Sequence, residues 1–177
     1  MRERSAVRKL APSDAGAFVR LRRRALESDP KSFPFSLEDD PGMSLDFVEK
    51  VLADSLPEEE SRILGAFRPG LVGILGIARE REIKARHKVR LWGLYVAPER
   101  RRAGLGQWLL SAAYDAAGEM DGVEQIHLRV SVSSQEAVRL FERYGFERFG
   151  VERRALKVAD RYVDEYLMVL NLPDEAA

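Results

Sequence analysis

The chain of 177 residues has no cysteine and only two histidines, His87 and His127. Without thiols there are no disulfides, no thiolate metal ligands and no cysteine to carry an acyl group covalently. Two histidines so far apart make no zinc site, and no metal is expected. Net charge is also missing, since 29 basic residues balance 29 acidic ones. The field of the whole protein therefore pulls neither nucleic acid nor an anionic membrane toward it. No apolar run approaches the roughly 18 residues of a membrane span, and "MRERSAVRKL" lacks the apolar core of a secretory signal. The expectation is a soluble, cytoplasmic protein with no nucleic-acid or membrane partner. Repeats, low-complexity tracts and linkers are absent too, so residues 1–177 are read as one domain with a sizeable core.

What is present alternates between two periodicities. "SAVRKLAPSD" starts as a short strand, and Pro12, Ser13 and Asp14 then mark a helix start. Phe18, Leu21, Arg22, Ala25 and Leu26 recur at helical spacing, which predicts a helix to Ser28. "DPKSFPFSLEDDPGM" reads as a loop. Ser44 is placed to cap a second helix with Phe47, Val48, Val51 and Leu52 on its inner face. "RILGAF" and "LVGILGIARE" are strands joined across Pro69-Gly70, and "VRLWGLYV" is another. A helix from Gly104 to Gly118, a strand "EQIHLRVSV", a short helix ended by Gly145 and two closing strands complete the chain. The strand–helix–strand unit from Leu91 to Val132 predicts one parallel pair with a right-handed crossover. Hairpins on both sides predict antiparallel neighbours. The fold class is therefore α+β, a mixed and mostly antiparallel central sheet with one parallel strand pair and flanking helices.

The join between "LWGLYV" and the following helix carries Arg100, Arg101 and Arg102, then Ala103, Gly104, Leu105, Gly106 and Gln107. A helix N-terminus offers unpaired N–H groups and the positive end of the helix dipole. Glycines let a ligand approach that backbone, so the arrangement reads as a phosphate-binding turn. A P-loop would need Gly-x-x-x-x-Gly-Lys-Ser/Thr, which is absent, and a dinucleotide fingerprint would need a glycine where Leu109 stands. The plainer alternative is a glycine-relieved connection with solvated arginines.

Arg101-x-x-Gly104-x-Gly106 after Leu94-Tyr95-Val96 resembles the GNAT superfamily of N-acetyltransferases, and "SSQEAVRLFERYGFE" is similar to that family's second signature. The likeness is best from Val89 to Phe146, and the element order agrees with the family fold. The resemblance implies that the turn from Arg101 to Gln107 holds the pyrophosphate of acetyl-CoA. It implies that Leu94, Tyr95 and Val96 pair with the pantetheine arm and that Ser134 stands at the family's asparagine position. The activity implied is acetyl transfer from acetyl-CoA to an amine, small-molecule or peptide, by direct attack in a ternary complex. A weakly catalytic acyl-CoA sensor is the alternative. The assembly state is left open, a homodimer included.

Two positions depart from the family pattern. Phe141 stands where many relatives carry a tyrosine acid, and Arg129 stands where ribosomal-protein acetyltransferases carry a glutamate base. Tyr144, one turn beyond Phe141, is the nearest replacement acid. His127 and Arg129 share a strand face, which suits either an acceptor site or ordinary structural pairing. His87 is read as part of a solvated strand entry. Trp92 and Tyr95, three apart on one strand, are expected on opposite faces. The loop segment Ser28 to Glu60 is expected to border the acceptor, with Glu38, Asp39 and Asp40 either drawing a cation or simply solvated.

Overall fold

The computed structural model describes residues 6–54 and 60–173. Ser5, the first residue of the predicted opening strand, and residues 55–59 of the predicted acceptor segment lie outside them. Among the described residues, seven strands form one sheet: β1 (Ala6–Lys9), β2 (Ser61–Phe67), β3 (Leu71–Arg79), β4 (Lys88–Val96), β5 (Gln125–Ser131), β6 (Glu147–Val158) and β7 (Arg161–Asn171). Their order is β1-β2-β3-β4-β5-β7-β6. Only β4 and β5 run parallel; the other neighbours are antiparallel. Four α-helices flank the sheet: α1 (Ala15–Ser28), α2 (Leu45–Leu52), α3 (Leu105–Gly118) and α4 (Gln135–Tyr144). No helix among the described residues is long and apolar enough to cross a membrane.

The sheet separates two cores. On one face, α3 and α4 bury Leu105, Leu109, Ala113, Val138 and Phe141 against Leu75, Val89, Ile126, Leu128 and Met168. On the other, α1 and α2 bury Phe18, Leu21, Ala25, Val48 and Leu52 against Ile63, Ile74 and Tyr95. The Ser44 hydroxyl accepts from the Phe47 N–H at 3.3 Å, as the capping residue requires. The predicted inner face of α2 is narrower than expected: Val48 and Leu52 are buried, whereas Phe47 is exposed.

A buried ion pair fixes α1 to the loop beyond it. Asp40 accepts from Arg22 Nε at 2.7 Å through one oxygen and from the Gly42 N–H at 2.7 Å through the other. Both side chains are almost wholly buried. Asp40 is thus a structural anion and no free attractor of cations. Asp39 likewise turns inward on its own loop, accepting from the Ser36 N–H at 2.6 Å and the Ser36 hydroxyl at 2.8 Å.

The parallel pair is short. Lys88–Arg90 pair with Gln125–His127, and beyond that β4 and β5 part. A bulge in β4 lies at the parting: Ile74 pairs with Tyr95 and Gly76 with Trp92, which leaves Gly93 and Leu94 opposite Leu75 alone. Gly93 has φ of 68°, a conformation that suits glycine. The extra residue resets the alternation, so Trp92 and Tyr95 both face the α1/α2 core. The expectation that they lie on opposite faces is wrong for this reason.

Candidate active site

Where β4 and β5 separate, a cavity of about 1020 Å³ opens between them. This is at the top of the roughly 300–1,000 Å³ that suits drug-sized ligands, and so fits a long one. Its walls are β4 from Leu91 to Val96, β5 from Leu128 to Ser131, the turn into α3, one side of α4 from Gln135 to Arg143, and Ser28 to Phe33. Of the sequence-predicted binding residues, Leu94, Tyr95, Val96, Arg101, Arg102, Gly104, Leu105, Gly106, Gln107 and Ser134 all line it. Ala103 does not, and packs against the α3/α4 core instead.

Each part of the wall has a local cause. Over Leu91–Val96, β4 has no partner on the β5 side, so its edge offers peptide groups to an extended ligand. Gly104 caps α3 in the left-handed region, with φ of 78° and no side-chain cap. The first helical bond runs from the Trp108 N–H to the Gly104 carbonyl at 3.0 Å. The N–H groups of Leu105, Gly106 and Gln107 therefore have no acceptor within the helix and face an anion's position. Gly106 has a second cause: a Cβ there would lie 2.9 Å from Leu140 Cδ2, so its absence lets α3 and α4 approach.

Cations dominate the lining, seven to two carboxylates, Asp29 and Glu136. They are not equally free. Arg101 donates from Nε to the Val96 carbonyl at 2.9 Å and from Nη2 to Asp29 at 3.0 Å, and lies over the Tyr95 ring. It latches the turn to the end of α1 as well as adding charge. Arg102 is almost fully exposed and 3.7 Å from Glu136. Ser134 begins α4, and its hydroxyl is 3.1 Å from that of Ser32 across the cavity mouth. Tyr95 is buried, with its hydroxyl 3.1 Å from Ser28 Oγ and its ring edge-on to Phe33.

Three residues singled out in the sequence stand differently. Tyr144 does not line the cavity. Its ring packs edge-on against Tyr114 of α3 and beside Phe146, and burial raises its pKa. Phe141 does reach the wall, from the α3/α4 core. Arg129 lines the cavity but is already paired with Glu152 of β6. His127 holds Gln125 at 3.0 Å and packs edge-on to Phe149, and burial lowers its pKa.

Residues 28–33, the start of the segment expected to border the acceptor, line the cavity, and so do Arg139, Arg143 and Gly93, which were not predicted as site residues. Gly93 carried a signal: an isolated glycine inside "LWGLYV" marks a bulge. The contact of Ser32 with Ser134 carried none, because only folding brings the two together.

The comparisons with known proteins agree with this geometry. The family model "Acetyltransferase (GNAT) family" matches residues 21–146. An N-alpha-acetyltransferase of Sulfurisphaera tokodaii is 25% identical over 172 residues, covering 94% of this chain and 92% of that one. An acetyltransferase of the GNAT family from Streptococcus pneumoniae superposes with a TM-score of 0.82 at 24% identity, covering 96% of this chain and 100% of that one. A putative acetyltransferase, yncA, from Salmonella typhimurium, solved with acetyl-CoA, superposes with a TM-score of 0.81 at 21% identity, covering 98% and 97%.

Proposed function

Because this chain belongs to the acetyltransferase (GNAT) family, we propose that it transfers an acetyl group from acetyl-CoA to a primary amine by direct attack in a ternary complex. The observation that carries the reading is the coincidence of two features at one cavity: an unpaired β4 edge and the uncapped N-terminus of α3. The first suits the amides of pantetheine and the second its pyrophosphate. The free edge at the bulge also offers a backbone N–H to the thioester oxygen, which gains negative charge as the amine adds. The Salmonella protein, whose fold this chain shares, was solved with acetyl-CoA, which supports the choice of co-substrate.

For the acceptor we favour a peptide α-amine. The Sulfurisphaera relative's name supports that class. So does the chemistry, since an α-amine has a pKa of about 7.7–8.0 and a lysine amine about 10.4, so the former yields its attacking form far more readily near neutral pH. The test is CoA release from acetyl-CoA with three probes: peptides with free N-termini, the same peptides N-acetylated but carrying lysine, and small polyamines. Release with the first, and an N-terminally acetylated product by mass spectrometry, is the expected result. Tight CoA binding without release to any amine would replace the transferase reading by a binding module.

Tyr144 should contribute little to that turnover. Its ring packs against Tyr114 of α3, and Tyr144 does not line the cavity. Tyr144→Phe should change kcat by less than about threefold, whereas losing a general acid costs roughly 10²-fold or more. A CoA thiolate, whose thiol has a pKa near 8.5, leaves without a dedicated acid more easily than an alkoxide does. A hundredfold fall in kcat at unchanged KM for acetyl-CoA would return Tyr144 to the mechanism.

A further inference from the structure

We propose that Glu165 of β7 is the base that takes the acceptor's proton, reaching it through one bridging water beside Arg129 and Ser131. The inference rests on the acetyltransferase reading above.

The geometry starts from register. In the β5–β7 ladder Arg129 pairs with Leu167 and Ser131 with Glu165. Glu152 of β6 pairs with Glu165 from the other side. Directly paired residues share a sheet face, and their Cβ atoms lie about 4.5–5.5 Å apart. Arg129, Ser131, Glu165 and Glu152 thus form one cluster on the face that also carries Trp92 and the bulge. Arg129 and Ser131 line the cavity. Glu165 stands immediately behind them, one strand away from the gap.

That face is open to an acceptor. The α1/α2 layer covers the β1–β4 half of the sheet, and from it the turn Pro30–Ser32 reaches across to β5 and β6. Beyond the turn lie the exposed Phe149 ring and the Arg129–Glu152 pair. An amine entering along this side meets the thioester from the face on which Glu165 lies.

Elimination points the same way. Asp29 is held by Arg101, Glu136 stands near Arg102, and Glu152 is tied to Arg129. Glu165 is only 6% exposed. Burial, Arg129 and Glu152 act on it, and no hydrogen bond from the described residues does. Burial and the Glu152 charge raise its pKa, and Arg129 only partly offsets them. A carboxylate moved toward neutrality is the better base at pH 7. The charged groups that face it are Arg129 from β5 and Glu152 from β6; Lys31 lies on the turn packed over both strands.

The ammonium form of the acceptor gives one proton through the water to the Glu165 carboxylate. The freed lone pair forms the N–C bond at the thioester carbonyl, and the C–S bond breaks to expel the CoA thiolate. The second nitrogen proton passes to that thiolate, and Glu165 returns its own to solvent.

Glu165→Gln tests this, because a site that tolerates a protonated carboxyl tolerates the neutral isostere. Melting temperature and Kd for CoA should match the wild type. With acetyl-CoA and the best acceptor peptide, kcat/KM should fall about a hundredfold at pH 7. The wild-type rate should rise with pH through an acidic limb, as the base loses its proton, and that limb should vanish in Glu165→Gln. Glu165→Asp should keep the limb at an intermediate rate. A normal rate in Glu165→Gln, or a reduced rate with the limb intact, would overturn the role while leaving the transferase reading standing. No CoA release by the wild type with any acceptor would overturn both.

Discussion

Asp40→Ala should destabilise the protein by about 3–5 kcal/mol, the usual consequence of stranding one charge of a buried pair. For a chain of this size that is a fall in melting temperature of roughly 6–20 °C. The reason is local. Arg22 is 3% exposed, lies over the Phe33 ring at 4.8 Å, and already has one nitrogen, Nη1, without a hydrogen-bond partner among the described residues. Asp40 alone balances it, and its second oxygen holds the Gly42 N–H. Alanine removes both interactions and leaves a whole guanidinium in an apolar core. Asp40→Asn keeps the shape and the Gly42 bond, so it should recover part of the loss. Arg22→Met with Asp40→Leu removes both charges and should lie closer to wild type than Asp40→Ala alone. Thermal melts of the three variants decide it. An Asp40→Ala protein within about 1 kcal/mol of wild type would mean that water reaches Arg22 and that the pair is not a buried one.

The same pair shows how far the sequence could be read. Helical spacing placed Arg22 on the apolar stripe of α1, an odd position for a cation, but nothing in "SLEDDPGM" distinguishes Asp40 from its neighbours Glu38 and Asp39. Only the fold selects it. Local signals fared well elsewhere. The period-2 and period-3.6 patterns located the seven strands and four α-helices of the described residues, and the strand–helix–strand unit pointed to the parallel pair. The turn from Arg101 to Gln107 was legible because it is continuous in sequence and its chemistry depends on backbone. What failed was non-local. The bulge at Gly93 shifted Trp92 onto the face of Tyr95, since one inserted residue reverses every later side chain. Tyr144 was placed by spacing from Phe141, yet one helical turn carried it toward α3 and away from the cavity wall. Glu165 sits in "YVDEYLMVL", an ordinary alternating strand. Its place behind Arg129 and Ser131 follows from β7 lying between β5 and β6, a pairing between segments distant in sequence.

At the turn into α3, Gly104→Asp should lower CoA affinity on the order of 10³-fold, about 4 kcal/mol. The estimate is electrostatic. A carboxylate about 4 Å from a phosphate charge costs ~4 kcal/mol at an effective dielectric of 20. The position separates charge from folding. Gly104 has φ of 78°, which aspartate and asparagine tolerate better than other side chains. The atoms nearest to a Cβ there are Nε1 and Cε2 of Trp108, at 3.8 and 4.0 Å, so there is room. An aspartate at this cap would even suit the dipole of α3, whose first turn holds no acidic residue. The left-handed backbone still costs an L residue about 1 kcal/mol, so the melting temperature should fall slightly and equally in the Asp and Asn variants while affinity collapses only in the first. Gly104→Asn is the control: it adds the same volume with no charge, and should cost less than about tenfold. The gap between the two should narrow as salt rises from 50 mM to 1 M, because the Debye length shrinks from more than about 10 Å to about 3 Å. Calorimetry with CoA at both salt concentrations reads all of this. Equal losses in the two variants would assign the effect to shape, and unchanged affinity in a folded Gly104→Asp protein would mean that no phosphate lies at the N-terminus of α3.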